Sequence, residues 1–260
     1  MDQTRKELMM KPISIQLYTV RDLCAKDFRG TVKKIANIGY KGVEFAGLHG
    51  TAPAGVAKWL KDFGLKVSSA HVALATTENV NQLADEANTL GYTRLISGLG
   101  PNDFKTEDDI KRSAARFSSA AELLKPHGLT MGYHNHWWEF DKIGEKTVYE
   151  LFLTAASPAV FSELDVYWAA FGRANPARML VQFGARIPLL HIKDGTLEPN
   201  VPHTAVGSGL LNMHTIIGAA DPKVVEWVIV ELDNCTTDMM EAARKSYKYL
   251  TSEKLAKGNK

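Results

Sequence analysis

Three short apolar runs in the second half of the chain each deliver ionisable side chains at their ends. VFSELD stops at Asp165, IPLLHIKD carries His191 and Lys193, and WVIVELD closes on Glu231 and Asp233. A fourth run, LTMGYHNH, holds His134 and His136. Carboxylates and imidazoles from neighbouring strands can converge on one divalent ion, and mixed oxygen and nitrogen ligation suits Mn, Mg, Co or Zn rather than a thiolate metal. Such an ion polarises a carbonyl and stabilises an enolate oxygen, while a carboxylate or imidazole moves the proton. Gln16, Tyr18, Glu44, His71, Ser97 and Glu163 stand at or near other strand ends and would complete a polar mouth.

For these side chains to meet, the runs must be strands whose ends open on one face. Periodicity predicts strands at Ile13–Tyr18, Gly42–Phe45, Lys66–Ala73, Thr93–Ser97, Leu129–His134, Val160–Leu164, Ile187–His191 and Trp227–Leu232. Between them, apolar residues recur at helical spacing over Phe28–Ile38, from Val56 to Gly64, after a cap at Asn79, over Glu107–His127, Lys146–Ala156, Pro176–Phe183 and Met213–Ala219, and from Thr237 to Leu250. The punctuation repeats: IGYKGVEF, FGLKVSSAHV, LGYTRLIS and HGLTMGYHNH each place a glycine between a helix and the next strand, where a helix C-cap needs one. Strand and helix alternate eight times, which predicts a single α/β domain, a (β/α)8 TIM barrel over residues 13–256 behind a tail of residues 1–12. An open doubly wound sheet is the alternative, but no GxGxxG follows the first strand.

Composition narrows the function classes. Thirty-one basic against 29 acidic residues give a net charge of +2, without the basic, aromatic-rich stripe of a nucleic-acid groove. No run approaches the roughly 18 apolar residues of a membrane span, and the first residues have no signal-peptide core, so a soluble cytoplasmic protein is expected. Cys24 and Cys235 are too few for a disulfide framework and are expected as buried thiols. The Lys-rich end, SEKLAKGNK, reads as a solvated, frayed terminus.

With these residues in place the sequence resembles the xylose-isomerase-like barrels, a family of sugar epimerases, inosose dehydratases and divergent apurinic endonucleases. The family's four metal ligands are Glu, Asp, His and Glu from strands five to eight. LDVYW matches at Asp165, LLHIKD at His191 and VIVELD at Glu231. On strand five the usual glutamate is replaced by YHNHWWEF, which makes His134 the ligand, or His136 after a two-residue shift. This looks like the YHNH-type subgroup labelled sugar phosphate isomerase/epimerase. The resemblance implies one divalent ion and a small carbohydrate substrate, isomerised or epimerised through an enediolate. With one carboxylate replaced by imidazole, β-elimination by a dehydratase or a lyase on a keto-glycoside is the alternative. Endonuclease activity and a non-catalytic sugar-binding barrel stand further off.

Within that reading Glu231, His134 and Lys193 are the candidate catalytic groups. Glu44, His71, His136 and Trp168 are candidate substrate contacts. Each has a plainer reading: Asp165 as a helix cap, His134 as a hydrogen-bonded core imidazole, Lys193 as a solvated lysine, Glu44 and His71 as turn-stabilising groups, Trp168 as a core anchor. Glu163, two residues before Asp165, points the same way one layer deeper, where it either pairs with Lys193 or Arg94 or supports a ligand. No Arg/Gly cradle follows strands seven and eight, which argues against a phosphate group. Exposed barrel helices leave a homo-oligomer open.

Overall fold

The structure, a computed structural model, describes residues 10–260. Eight parallel strands, β1 (Ile13–Gln16), β2 (Gly42–Phe45), β3 (Lys66–His71), β4 (Arg94–Ser97), β5 (Thr130–His134), β6 (Phe161–Asp165), β7 (Leu189–Ile192) and β8 (Trp227–Val230), form the wall. Each pairs with its sequence neighbours, and β1 pairs with β8, so the sheet closes into a (β/α)8 barrel. The open-sheet alternative is thereby excluded. Most of the tail assigned to residues 1–12 lies outside the described residues.

Among the described residues ten α-helices, α1 (Arg21–Lys26), α2 (Phe28–Ile38), α3 (Pro53–Phe63), α4 (Val80–Leu90), α5 (Glu107–Leu124), α6 (Val148–Ala155), α7 (Val166–Phe171), α8 (Pro176–Phe183), α9 (Met213–Gly218) and α10 (Met239–Ser252), cover it. Their apolar stripes explain the placement: α2 buries Phe28, Val32 and Ile35, one face at i, i+4, i+7. Helix α5 starts at a capping box in which Thr106 and Asp109 satisfy one another's backbone N–H groups, with three acidic residues in its first turn. At the other ends Gly64 and Gly91 take left-handed φ of 68° and 78°, as the repeated glycines predicted. Asn79 does not cap α4 as expected. Its side chain instead accepts from Thr76 N at 2.7 Å and donates to Leu74 O at 3.1 Å, bracing the preceding turn.

Two helices were not foreseen. Helix α1 is short and α7, VYWAAF, has no polar stripe, so neither leaves a periodic signal. The C-terminal segment is not frayed: Leu255 and Ala256 are buried, and Lys257 exchanges backbone bonds with Ile13 (3.1 Å) and Lys11 (2.8 Å). Asn259 N then donates to Gly39 O at 2.8 Å, so this segment is strapped to the barrel. Cys24 is buried, whereas Cys235 is half-exposed, against expectation. Among the described residues no helix is long and apolar enough to cross a membrane.

Inside the barrel Ile96, Phe161, Leu189 and Ile229 form an apolar cluster of their own. A side chain on Gly132 would overlap the Phe161 ring, so the glycine makes room for this plug. The strand residues that follow these on the same face, Glu163 and His191, rest directly above it.

Candidate active site

Strand alternation and register place the ionisable residues. Glu163 and Asp165 share the inner face of β6, and the register sets His134 beside Glu163 and Asp165 beside His191. At the end of β5, Asn135 clamps β6: its Oδ1 accepts from Asp165 N at 3.0 Å and its Nδ2 donates to Asp165 O at 3.2 Å. Asp165 Oδ1 then accepts from Trp168 N at 2.8 Å, which starts α7 and fixes one carboxylate oxygen. Buried Glu139 accepts from Tyr133 OH and, at 2.9 Å, from His136 N, folding YHNHWWEF back over the strand end.

The cluster has an inner and an outer part. In the inner part the Glu163 carboxylate meets His71 Nε2 at 2.7 Å, His134 Nδ1 at 3.0 Å and His191 Nε2 at 3.2 Å. Glu44 meets His191 Nε2 at 2.7 Å and accepts from Gln16 Nε2 at 2.6 Å and from Ser69 Oγ. In the outer part Lys193 Nζ, only 1% exposed, lies 3.0 Å from Asp165, 2.8 Å from Glu231 and 3.0 Å from Asp233. His191 joins the two parts, its Nδ1 sitting 2.8 Å from Glu231.

Electrostatics separates these groups. Burial and the Glu163 charge push the Glu44 carboxyl up to about 7. Burial likewise lifts Asp165 to about 6 in spite of Lys193. For Glu231 burial acts upward, but Lys193 and His191 outweigh it and hold the carboxyl well below its usual range. Burial depresses the His134 imidazole, whereas at His191 burial is overcome by Glu163, Glu44 and Glu231 and the imidazole is raised.

A cavity of about 700 Å³ opens onto this cluster, lined among others by His71, His134, His136, Lys193, Glu231 and Asp233. Of the expected substrate contacts, His71 and His136 face it. Glu44 does not: it is wholly buried beneath the histidines. Trp168 lines a neighbouring cavity with Trp137, Phe171 and His203, its ring 5.3 Å from Lys193 Nζ. The solvated reading of Lys193 fails, and Glu163 pairs with histidines rather than with Lys193 or Arg94. Arg94 instead pairs with Glu226, the residue just before β8. Asn135 and the Glu139 brace were missed, although a polar residue between two strand-end histidines was a signal for the former.

Two quartets present one donor atom from each residue within 4.8 Å of one another: His134, Asp165, His191 and Glu231, and His71, His134, Glu163 and His191. His136 is in neither. Buried Asp165 Oδ2 and Glu163 Oε1 accept no well-formed hydrogen bond. Glu163 Oε1 beside imidazoles, and Asp165 Oδ2 held only by the Lys193 ammonium at 3.0 Å, fit a divalent ion, and the donor chemistry is that of Zn, Co or Mn sites.

The sequence matches the family described as xylose isomerase-like TIM barrel over residues 32–253. Among solved structures it is similar to a sugar phosphate isomerase/epimerase from Parabacteroides distasonis ATCC 8503, at 28% identity and a TM-score of 0.79, covering 95% of this chain and 96% of that one. A second sugar phosphate isomerase/epimerase from that organism has 24% identity and a TM-score of 0.81, covering 95% and 100%. The probable 3-DHS dehydratase AsbF from Bacillus anthracis, at 17% identity and a TM-score of 0.73 over 92% and 98%, shares the fold. No curated protein matches the sequence.

Proposed function

We propose, from the premise that this chain belongs to the xylose isomerase-like TIM barrel family, that it is a divalent-metal-dependent enzyme isomerising or epimerising a ketose or keto-sugar through an enediolate. The observation that carries this is the pairing of Glu231 with Lys193 at 2.8 Å on the wall of a cavity that His71 and His134 also line. A carboxylate kept ionised beside an ammonium is a base with an acid next to it.

His134 and His191 belong to both quartets and would hold the ion, completed by carboxylates beside them. When bound, a divalent ion supplies polarisation of a carbonyl and charge stabilisation of the enolate. In isomerisation Glu231 takes the proton from the carbon next to the carbonyl and returns it to the former carbonyl carbon, while the hydroxyl proton passes to the former carbonyl oxygen; in epimerisation the proton returns to the same carbon on its opposite face. Lys193, oriented by Asp165 and Asp233, hydrogen-bonds the oxygen on which negative charge develops. His136 contacts hydroxyl groups across the cavity. The near-neutral charge, with no arginine among the described residues that line the cavity, favours an unphosphorylated substrate.

A second reading, β-elimination by a lyase or dehydratase, has its own support. Strand five carries imidazole where two-faced proton transfer calls for a carboxylate, and elimination needs one base and one acid. The test of the metal reading is elemental analysis of purified protein beside folded His134→Ala and His191→Ala variants. About one ion per chain, lost in both variants, is expected; wild-type protein that takes up no ion under any loading condition refutes it.

A further inference from the structure

The cavity over the ionisable cluster adjoins a second one, of about 570 Å³, walled by Trp137, Trp168 and Phe171, with Glu198, Asn200 and Asn234 at its exposed edge. Asp233 lines both. Lys193 Nζ, on the wall of the first, lies 5.3 Å from the centre of the Trp168 ring in the second. A row of rings also runs from one to the other: His136 stacks on Trp138 at 4.3 Å, Trp138 meets Trp137 at 4.6 Å, and Trp137 meets Trp168 at 4.8 Å. Trp137 is 41% exposed, although a tryptophan is ordinarily well covered. The second cavity is also built in advance. Its wall includes part of the long loop after β7, and buried Asp194 gathers that loop by accepting from Gly207 N and Gly209 N at 3.0 Å and from Leu211 N at 3.2 Å. His203, on the same wall, donates its backbone N–H to Asn234 Oδ1 at 3.1 Å and accepts from Asp233 N at 3.3 Å. A wall held this way loses little entropy when a ligand arrives.

We infer that the second cavity is a subsite for a second sugar ring, so that the substrate is a ketose or keto-sugar carrying a glycosidically linked sugar rather than a free monosaccharide. This rests on the carbohydrate reading of the central cavity and specifies its substrate class. A pyranose has a face of C–H groups and a periphery of hydroxyls. The first suits the indole rings of Trp137 and Trp168. The second suits an edge that offers the Glu198 carboxylate as acceptor and the Asn200 and Asn234 amides as donors. A flat aromatic substituent would use the rings and leave that polar edge without partners. Asp233, common to both cavities, places the two rings one linkage apart. Apolar walls with a few polar groups, in a volume of this size, are the ordinary make-up of a small-molecule site.

The experiment measures binding to the full chain by calorimetry and by saturation-transfer NMR, which reports which ring of a ligand touches the protein. The probes are the ketoses fructose and tagatose, the ketose disaccharides lactulose, maltulose, turanose and isomaltulose, and methyl and phenyl β-glucopyranoside. At least one disaccharide is expected to bind about 10-fold or more tighter than the free ketoses, with saturation on both rings. Trp137→Ala, and Val201→Trp, which fills the second cavity without removing a wall ring, are checked for folding by circular dichroism. Both should bring the disaccharide down to the affinity of the free ketose and leave the ketose unchanged. If neither variant folds, the wild-type comparison alone decides. Disaccharides that bind no tighter than fructose or tagatose, or an advantage that survives both variants, overturn the subsite. A phenyl glucoside that gains over the methyl glucoside while no disaccharide gains overturns its assignment to a sugar. Binding of free ketoses alone would leave the carbohydrate reading standing without the subsite, whereas binding of no sugar at all is the separate result that removes that reading.

Discussion

Replacing Lys193 by methionine keeps the length of the side chain and removes its charge from among Asp165, Glu231 and Asp233, at 3.0, 2.8 and 3.0 Å. A unit charge pair at about 3 Å and an effective dielectric of about 20 is worth roughly 5–6 kcal/mol before desolvation is subtracted. Most of that offsets the cost of burying the ions, and breaking such a buried pair from one side costs about 3–5 kcal/mol net. The loss depends on pH with a definite sign. Glu231 is buried, yet Lys193 and His191 hold it well below the carboxylate range. Its stabilising contribution is therefore full above the unfolded value of about 4.3 and fades as pH falls through the lower folded value. Without Lys193 that contribution shrinks to what His191 supplies, and Asp165, already raised to about 6 by burial, rises further. Urea unfolding of metal-stripped wild type and Lys193→Met should show a deficit of about 3–5 kcal/mol near pH 7.5 that narrows toward pH 4.5, as the variant's carboxylates take up protons. Equal stability at pH 7.5, or a deficit that widens on acidification, would refute the charge-compensation argument.

Other consequences are equally direct. Gly132→Ala sets a methyl against the Phe161 ring under the site and should cost about 1–3 kcal/mol, read as a lower urea midpoint at unchanged slope. Asn135→Ala removes both bonds to the Asp165 backbone and leaves buried groups unpaired, so a loss of about 1–3 kcal/mol is expected by thermal and urea unfolding. His203 is lowered to about 4 by burial first and Lys193 second, and its Nδ1 accepts from Asp233 N at 3.3 Å. The unfolded chain binds this proton near pH 6.5 and the folded chain does not, so stability falls between pH 6.5 and 4 by up to about 3 kcal/mol. His203→Gln should flatten that part of the profile. Burial pushes the Cys24 thiol up to about 12, so a thiol reagent should modify Cys235 first in native protein.

The barrel was legible because its signals are local. Glycines closing helices and runs such as GVEF repeat along the chain, and Gly42–Phe45, Phe28–Ile38 and Pro176–Phe183 match the expected bounds. The cluster was legible in its members but not in its pairings. Glu163 finds His71, His134 and His191 on three other strands, and Lys193 finds Asp233 forty residues on, contacts that only the closed sheet decides. Glu44 stands at a strand end as a substrate contact should, yet the bulge between Val43 and Glu44 accompanies its burial beneath the histidines. Between His134 and His136 the sequence offered a two-residue ambiguity. The structure sets His134 beside Glu163 in register and leaves His136 stacked on Trp138, ring centres 4.3 Å apart. The C-terminal segment reads as a solvated, frayed end, but its backbone completes hydrogen bonds at the barrel's other end.

The most direct test of the proposed chemistry is incorporation of solvent deuterium into a panel of ketoses and keto-glycosides in D2O, followed by NMR. It is run with metal-loaded protein, the same protein after chelation, and Glu231→Gln. Deuterium at the carbon next to the carbonyl, lost on chelation, restored by reloading and absent in Glu231→Gln, is the predicted result. Exchange that survives removal of the metal, or its absence from the whole panel at full metal occupancy, would contradict a metal-dependent enediolate mechanism.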